Sequence, residues 1–183
     1  MTTCIPTKPW RPASEIEDNP IRLPRAAAEK IIPELDRHLA ALFVLFHQYQ
    51  KHHWLVEGPQ FRDIHIFLEE GYDQIHRQLD AIAERITAIG GVPTSGPAAQ
   101  AKLAYIEHET EGIFRIRDML ARDRAAEGTI AARMRETIKL CTSLEDFGTE
   151  TLLKGTLLKI EDRAHHLDHF LGEDSLGMAL NEG

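Results

Sequence analysis

The sequence predicts an all-α fold, a four-helix bundle with a short extra helix in the long crossover between the second and third helices. Three observations point there. Apolar residues recur at spacings of three and four through long stretches, which puts them on one face of a helix. No strand-length stretch alternates apolar with polar residues, and there is no internal repeat. Glycine and proline cluster at a few positions and cut the chain into helix-length pieces with one long connection.

Residues 1–25 read as an extended N-terminal tail, interrupted by Pro6, Pro9, Pro12, Pro20 and Pro24. Its cations Lys8, Arg11, Arg22 and Arg25 are nearly matched by Glu15, Glu17 and Asp18. It therefore lacks the dense positive charge that holds a phosphate backbone. The bundle spans residues 26–173, and residues 174–183 form a C-terminal tail. The first helix runs from about Ala26 to Trp54 on the stripe Leu35, Leu39, Leu42, Phe43, Phe46 and Tyr49, with Pro33 marking a first turn or a kink. Gly58 and Pro59 then turn the chain back. The second helix covers Phe61 to Ile89 and stops at Gly90, Gly91 and Pro93. A short helix near Ala98 to Tyr105 rides in the crossover. The third long helix is expected from about Glu109 to Ala126, with an interruption at Gly128. Ile130 to Cys141 either continues it or stands apart, and Ser143 to Leu171 forms the last helix.

Composition narrows the class. Of the 183 residues, 43% are hydrophobic and 27% charged, which suits a single globular domain. No apolar run approaches the length of a membrane span, and MTTCIPTKPW lacks the basic-then-apolar order of a secretory signal, so a cytoplasmic location is expected. Two cysteines imply no disulfide framework. Cys141 reads as a buried thiol and Cys4 as incidental. The formal charge of −8 argues against nucleic-acid binding by the body of the protein, because phosphate contacts need clustered Lys and Arg.

The second helix carries the chemistry. His65 and Glu69 stand four residues apart, as do Asp80 and Glu84. Side chains at that spacing share a helix face and can grip one metal ion. From Glu69 to Asp80, however, is roughly 16 Å of helix at about 1.5 Å per residue. Ligands of one ion lie about 2 Å from it, so the two pairs cannot share an ion within one chain. Two chains can bring them together. If the helix packs antiparallel on a two-fold copy of itself, facing residues have numbers of constant sum. The pair His65 and Glu84 has the same sum as the pair Glu69 and Asp80. One register thus builds two identical sites, roughly 22 Å apart, with the dyad near Gln74 and Ile75. The bland alternative is a solvated acidic stripe with scattered histidines.

His53 ends the first helix just before the Gly58-Pro59 turn, so chain reversal returns it to the neighbourhood of His65. The expected metal site is His53, His65 and Glu69 of one subunit with Asp80 and Glu84 of the next. Two imidazoles and three carboxylates suit a borderline divalent ion such as ferrous iron or zinc.

These residues resemble a known family. His53-Trp54, Val56, Gly58, Phe61, His65, Glu69, Tyr72, Asp80 and Ala83-Glu84-Arg85 are similar to the Dps proteins, the mini-ferritins of bacteria. The resemblance covers roughly residues 25–173, including Gly90-Gly91-Val92-Pro93 and Phe170-Leu171-Gly172, and QAKLAYIEHET looks most like the cyanobacterial members. It implies a ferritin-like bundle, a homo-oligomer that is a hollow dodecamer of two-fold dimers, and ferroxidase sites at the dimer interfaces with the same five residues as iron ligands. It also implies the reaction: ferrous iron is oxidised by hydrogen peroxide, less efficiently by oxygen, and stored as ferric oxyhydroxide against oxidative stress. Trp54 resembles the aromatic residue beside the family's site, where it quenches radical equivalents. By residue type alone it reads equally as an interface anchor. Leu55 departs from the family, where Asn often follows the His-Trp pair. Many relatives bind DNA through a Lys-rich tail, which the mixed tail here does not match. Ordinary ferritins differ in another way, with Glu-x-x-His ligands inside one bundle. No Glu of this chain has His three residues later.

Further residues are candidates for auxiliary roles. Glu145, Asp146, Glu150 and Glu161, near the ends of the last helix, could line an acidic pore that focuses cations. By the constant-sum rule His76 faces Asp73 of the partner subunit, as an interface ion pair or an auxiliary metal site. Asp162 with His166 and His165 with His169 have ligand spacing on the last helix and could hold a second metal. His52 and His108 have no partner pattern and are expected to face solvent. Two rival readings remain: a nucleoid protein that coats DNA, and an inert structural zinc clamp at the same five residues.

Overall fold

A computed structural model describes residues 8–172, which hold five helices: α1 (Arg25–Leu55), α2 (Phe61–Ala88), α3 (Pro97–Leu103), α4 (Ile116–Ser143) and α5 (Phe147–Phe170). There is no strand among the described residues. Cys4 and the tail 174–183 lie outside them. None of the described helices is long and apolar enough to cross a membrane.

Contacts between helices fix the topology. His38, Tyr49 and His52 of α1 meet Thr137, Glu127 and Asp123 of α4 in that order, so α1 and α4 are antiparallel. Phe67, Gln78 and Arg85 of α2 meet Phe170, Thr156 and Asp146, so α2 and α5 are antiparallel as well. The short turn of residues 56–60 reverses α1 into α2, which makes α2 and α4 parallel. Parallel neighbours in sequence need a long connection. Residues 89–115 supply it, with α3 packed on α1. The pairs α1/α2 and α4/α5 are tightly packed, whereas α2 and α5 stand farther apart, meet through long side chains and leave a groove open between them.

The core is assembled from the inward stripes. Leu35, Leu42, Leu45, Leu68, Ile75 and Ile160 are wholly buried, and shortening any one of them to Ala would cost about 2–5 kcal/mol. Cys141 is buried as expected, and burial pushes its thiol pKa up to about 12. Such a thiol is inert at neutral pH. Gly71 is required by the packing, since a Cβ there would meet the Tyr49 ring at 2.7 Å.

Helix boundaries differ from expectation in three places, one being the last helix, which begins at Phe147 rather than Ser143 because Ser143 ends α4. α4 begins at Ile116 rather than Glu109, and it runs through Gly128 without interruption. The Glu109 carboxylate is drawn into the bundle, 2.7 Å from Lys51 Nζ and 3.0 Å from His52 Nε2, which keeps that backbone in the crossover. Gly128 faces open space. It costs the helix about 1 kcal/mol relative to Ala, less than the roughly 1.5–3 kcal/mol from burying its neighbour Ile130.

The proline-rich segment before α1 is docked on the bundle rather than trailing. Arg11 donates to the carbonyls of Gly90 at 3.1 Å and Gly91 at 3.4 Å and pairs with Glu17 at 2.8 Å. Glu17 N also donates to Gly90 O at 3.1 Å. At Gly90, φ is +92°, and a Cβ there would lie 2.2 Å from Glu17 O, so no other residue fits this junction.

Candidate metal centre

The last turn of α1 and the second turn of α2 are brought face to face by the 56–60 turn, whose Gly58 adopts φ +105°. His53 and His65 stack there with ring centroids 3.7 Å apart and planes inclined by 20°. Their hydrogen bonds are reciprocal: His53 Nδ1 lies 3.0 Å from the His65 carbonyl, and His65 Nδ1 lies 2.9 Å from the His53 carbonyl. A carbonyl only accepts, so each Nδ1 must carry the proton. Each Nε2 is left with its lone pair, the tautomer a metal ligand requires.

Aromatic rings wall this pair on α1 and α2. Phe61 leans on His65 at 4.8 Å, and Tyr72 meets His53 edge-on at 5.3 Å and Phe46 at 5.9 Å. Burial, with Glu69 and Asp73 nearby, raises the Tyr72 phenol pKa. The two imidazoles are half-buried, whereas Glu69, Asp80 and Glu84 are exposed along α2. None of these three carboxylates forms an ion pair among the described residues. Among those residues no three His, Cys, Asp or Glu gather closely enough to hold a metal within one chain. Asp80 and Glu84 stay well away from the imidazole pair along α2, as the rise of the helix demands.

Comparison with known proteins adds an independent line. The ferritin-like domain family matches residues 32–176. The chain is 39% identical over 165 residues to the "DNA protection during starvation protein" of Halobacterium salinarum, covering 90% of this chain and 91% of the relative. It is 40% identical over 166 residues to the "Nutrient stress-induced DNA-binding protein" of a Synechococcus, covering 91% and 94%. The crystal structure of the archaeal Dps homologue from Halobacterium salinarum superposes with a TM-score of 0.90 at 38% identity, covering 93% of this chain and 95% of that one. The chain belongs to the Dps family. Within that family, the archaeal relative is as similar to this chain as the cyanobacterial one is.

On this Dps bundle the other expected residues fall as follows. Trp54 is 66% exposed beside the imidazole pair. His76 is exposed with its ring 5.8 Å from Phe46, and Asp73 is exposed three residues before it on α2. His165 and His169 meet edge-on at 4.4 Å, while His166 and Asp162 instead face the α2/α5 groove near Glu70. Glu145 is exposed at the α4–α5 turn. Glu150 pairs with Lys154 and Glu161 with Arg135. Asp146 is unavailable to a pore: it is buried, caps α5 through Thr149 N at 3.0 Å, and binds Arg85 at 2.6 Å.

His52 does not face solvent. It is wholly buried, with Nδ1 2.7 Å from Asp123 Oδ2 and Nε2 3.0 Å from Glu109. Burial works to lower its pKa, but the two carboxylates outweigh that and raise it. His108 is half-buried, its Nδ1 2.7 Å from the Glu109 carbonyl. A second buried network was also missed. Arg163 grips Glu127 in a fork at 2.6 and 3.1 Å, and Tyr49 donates to the same carboxylate at 2.8 Å. Asp123 and Glu127, four apart among the apolar positions of α4, were the readable signal for both networks.

Proposed function

We propose that this chain is an iron-storing mini-ferritin, working in the cytoplasm, whose ferroxidase sites form between subunits of a two-fold dimer within a dodecameric shell. His53, His65 and Glu69 of one subunit and Asp80 and Glu84 of the next bind the ferrous substrate. The single observation that carries this reading is the His53–His65 pair, two stacked imidazoles with both Nε2 lone pairs unspent. Exposed, unpaired carboxylates lie on the same helix at a spacing that only a second chain can exploit.

The reaction is electron transfer. Two ferrous ions give one electron each to one hydrogen peroxide, whose O–O bond breaks. Water completes the ferric oxyhydroxide, and four protons leave. The three carboxylates favour the harder ferric product, and only two imidazoles hold the ferrous substrate, so it is released inward rather than trapped. Oxygen is the slower oxidant. Trp54, exposed beside His53, intercepts radical equivalents.

Ferrous oxidation with peroxide and with oxygen, measured in the parent and in His65→Ala after metal stripping, tests this. The expected result is loss of turnover with both oxidants while the assembly keeps its size. Unchanged turnover would overturn the site, and an inactive, metal-retaining parent would favour a structural zinc clamp.

The names of the relatives favour a second reading, direct DNA binding. The net charge of −8 opposes it. Retarded migration of duplex DNA at low salt would restore it.

A further inference from the structure

The open groove between α2 and α5 is acidic at one end, where Glu70 and Asp162 line it, and basic farther along. Its widest part, about 480 Å³, is lined by Gln74, Arg77 and Ala81 of α2 and Thr151, Thr156 and Lys159 of α5, with no acidic residue. A water takes about 30 Å³, so a small ion with part of its hydration shell fits. Neither Arg77 nor Lys159 forms an ion pair or hydrogen bond among the described residues, although most cations of the chain do.

Gln74 supplies a third donor. Arg163, held by Glu127, donates to Gln74 Oε1. Because guanidinium only donates, the amide orientation is fixed with oxygen toward Arg163. The amide nitrogen, which has no partner among the described residues, is left on the groove side. The neighbouring Gln78 is spent internally, donating to Thr156 O at 3.2 Å and accepting from Arg163 at 3.1 Å. The groove therefore presents two cations and one fixed amide donor to whatever enters.

We propose that this groove binds a small tetrahedral oxyanion, inorganic phosphate, through Arg77, Lys159 and the amide nitrogen of Gln74. The Arg fork matches two phosphate oxygens at once, and the Lys ammonium adds a point charge. A polymer is a poor fit. Glu70 and Asp162 line the adjoining part of the groove and repel a polyanion, whereas a single small ion in the wider part avoids them. The site shares no residue with the proposed metal stripe but adjoins it: Gln74 and Ala81 lie roughly 100–120° around α2 from Asp80, and Arg77 roughly 60°. It does not depend on the ferroxidase reading.

Titration calorimetry of iron-free assembled protein with inorganic phosphate at low chloride tests the site. Saturable binding near one ion per chain is expected, weakened about tenfold or more in Arg77→Gln/Lys159→Gln. The control pair Arg62→Gln/Lys102→Gln, exposed cations elsewhere, should bind as the parent does. If the double variant fails to assemble, Arg77→Lys keeps the charge but loses the fork and should bind more weakly than the parent. Equal binding in parent and groove variants, or equal loss in the control pair, would overturn the proposal. So would duplex DNA bound through Arg77 and Lys159 with no uptake of free phosphate.

Discussion

The carboxylates inside the bundle and those along the outside of α2 are alike in chemistry and opposite in circumstance. Glu127 and Asp123 are wholly buried, and each already has its basic partner: Arg163 for the first, His52 for the second. Glu69, Asp80 and Glu84 are exposed and have none among the described residues. Three open acids on the helix that also carries His65 are what the proposed site needs for a cation that arrives from outside. The interior networks hold the frame, and the open stripe is where the proposed chemistry takes place.

That contrast can be broken from the inside first. Arg163→Leu removes the cation from buried Glu127 and should cost the iron-free protein about 3–5 kcal/mol in urea unfolding, as broken buried pairs do. A loss below about 1 kcal/mol would mean that the interior pair is not what holds α4 to α5. Next comes His38, buried between Tyr105 at 2.6 Å and Thr137 at 2.8 Å, where burial, with Arg133 nearby, lowers its pKa to about 4. The folded chain then binds fewer protons than the unfolded one between about pH 6.5 and 4. Its contribution is fully present above pH 6.5 and lost as pH falls through that window, by about 3 kcal/mol in all. Thermal unfolding from pH 7 to 4 should show a shallower acid slope in His38→Gln than in the parent.

Smaller effects sharpen the comparison. Asp146→Ala removes the α5 cap and the partner of Arg85, and should cost about 2 kcal/mol. Chemical denaturation with and without iron would show that cost in both states if Asp146 is purely internal. At the other extreme, Asp80→Asn/Glu84→Gln should leave iron-free stability within about 0.5 kcal/mol while abolishing ferrous oxidation. Stability that rose by several kcal/mol would mean these acids repel one another strongly in the native state, which the account does not allow for.

The sequence made some of this legible and hid the rest for physical reasons. The four long helices followed from local periodicity, and the His65, Glu69, Asp80 and Glu84 spacing was visible because it lies within one helix. The nearness of His53 to His65 followed from a single Gly-Pro turn. His52 was misread because its partners Asp123 and Glu109 come from other elements, 71 and 57 positions on. Its own position, four after Gln48 and three after Tyr49, did place it on the inner stripe of α1. Asp146 looked like a pore acid because a helix start is usually solvated, and only the approach of Arg85 from α2 buries it. Gly128 was read as a break although a glycine on an open helix face costs little.

The central claim is that each site needs halves from two chains, and subunit mixing tests it most directly. His65→Ala and Asp80→Asn/Glu84→Gln should each be inactive alone. Dissociated, mixed in equal amounts and reassembled, half of the dimers pair unlike chains, and each of those rebuilds one of its two sites. Ferrous oxidation should then return to about a quarter of the parent rate. A mixture no more active than the two variants assayed separately would contradict it.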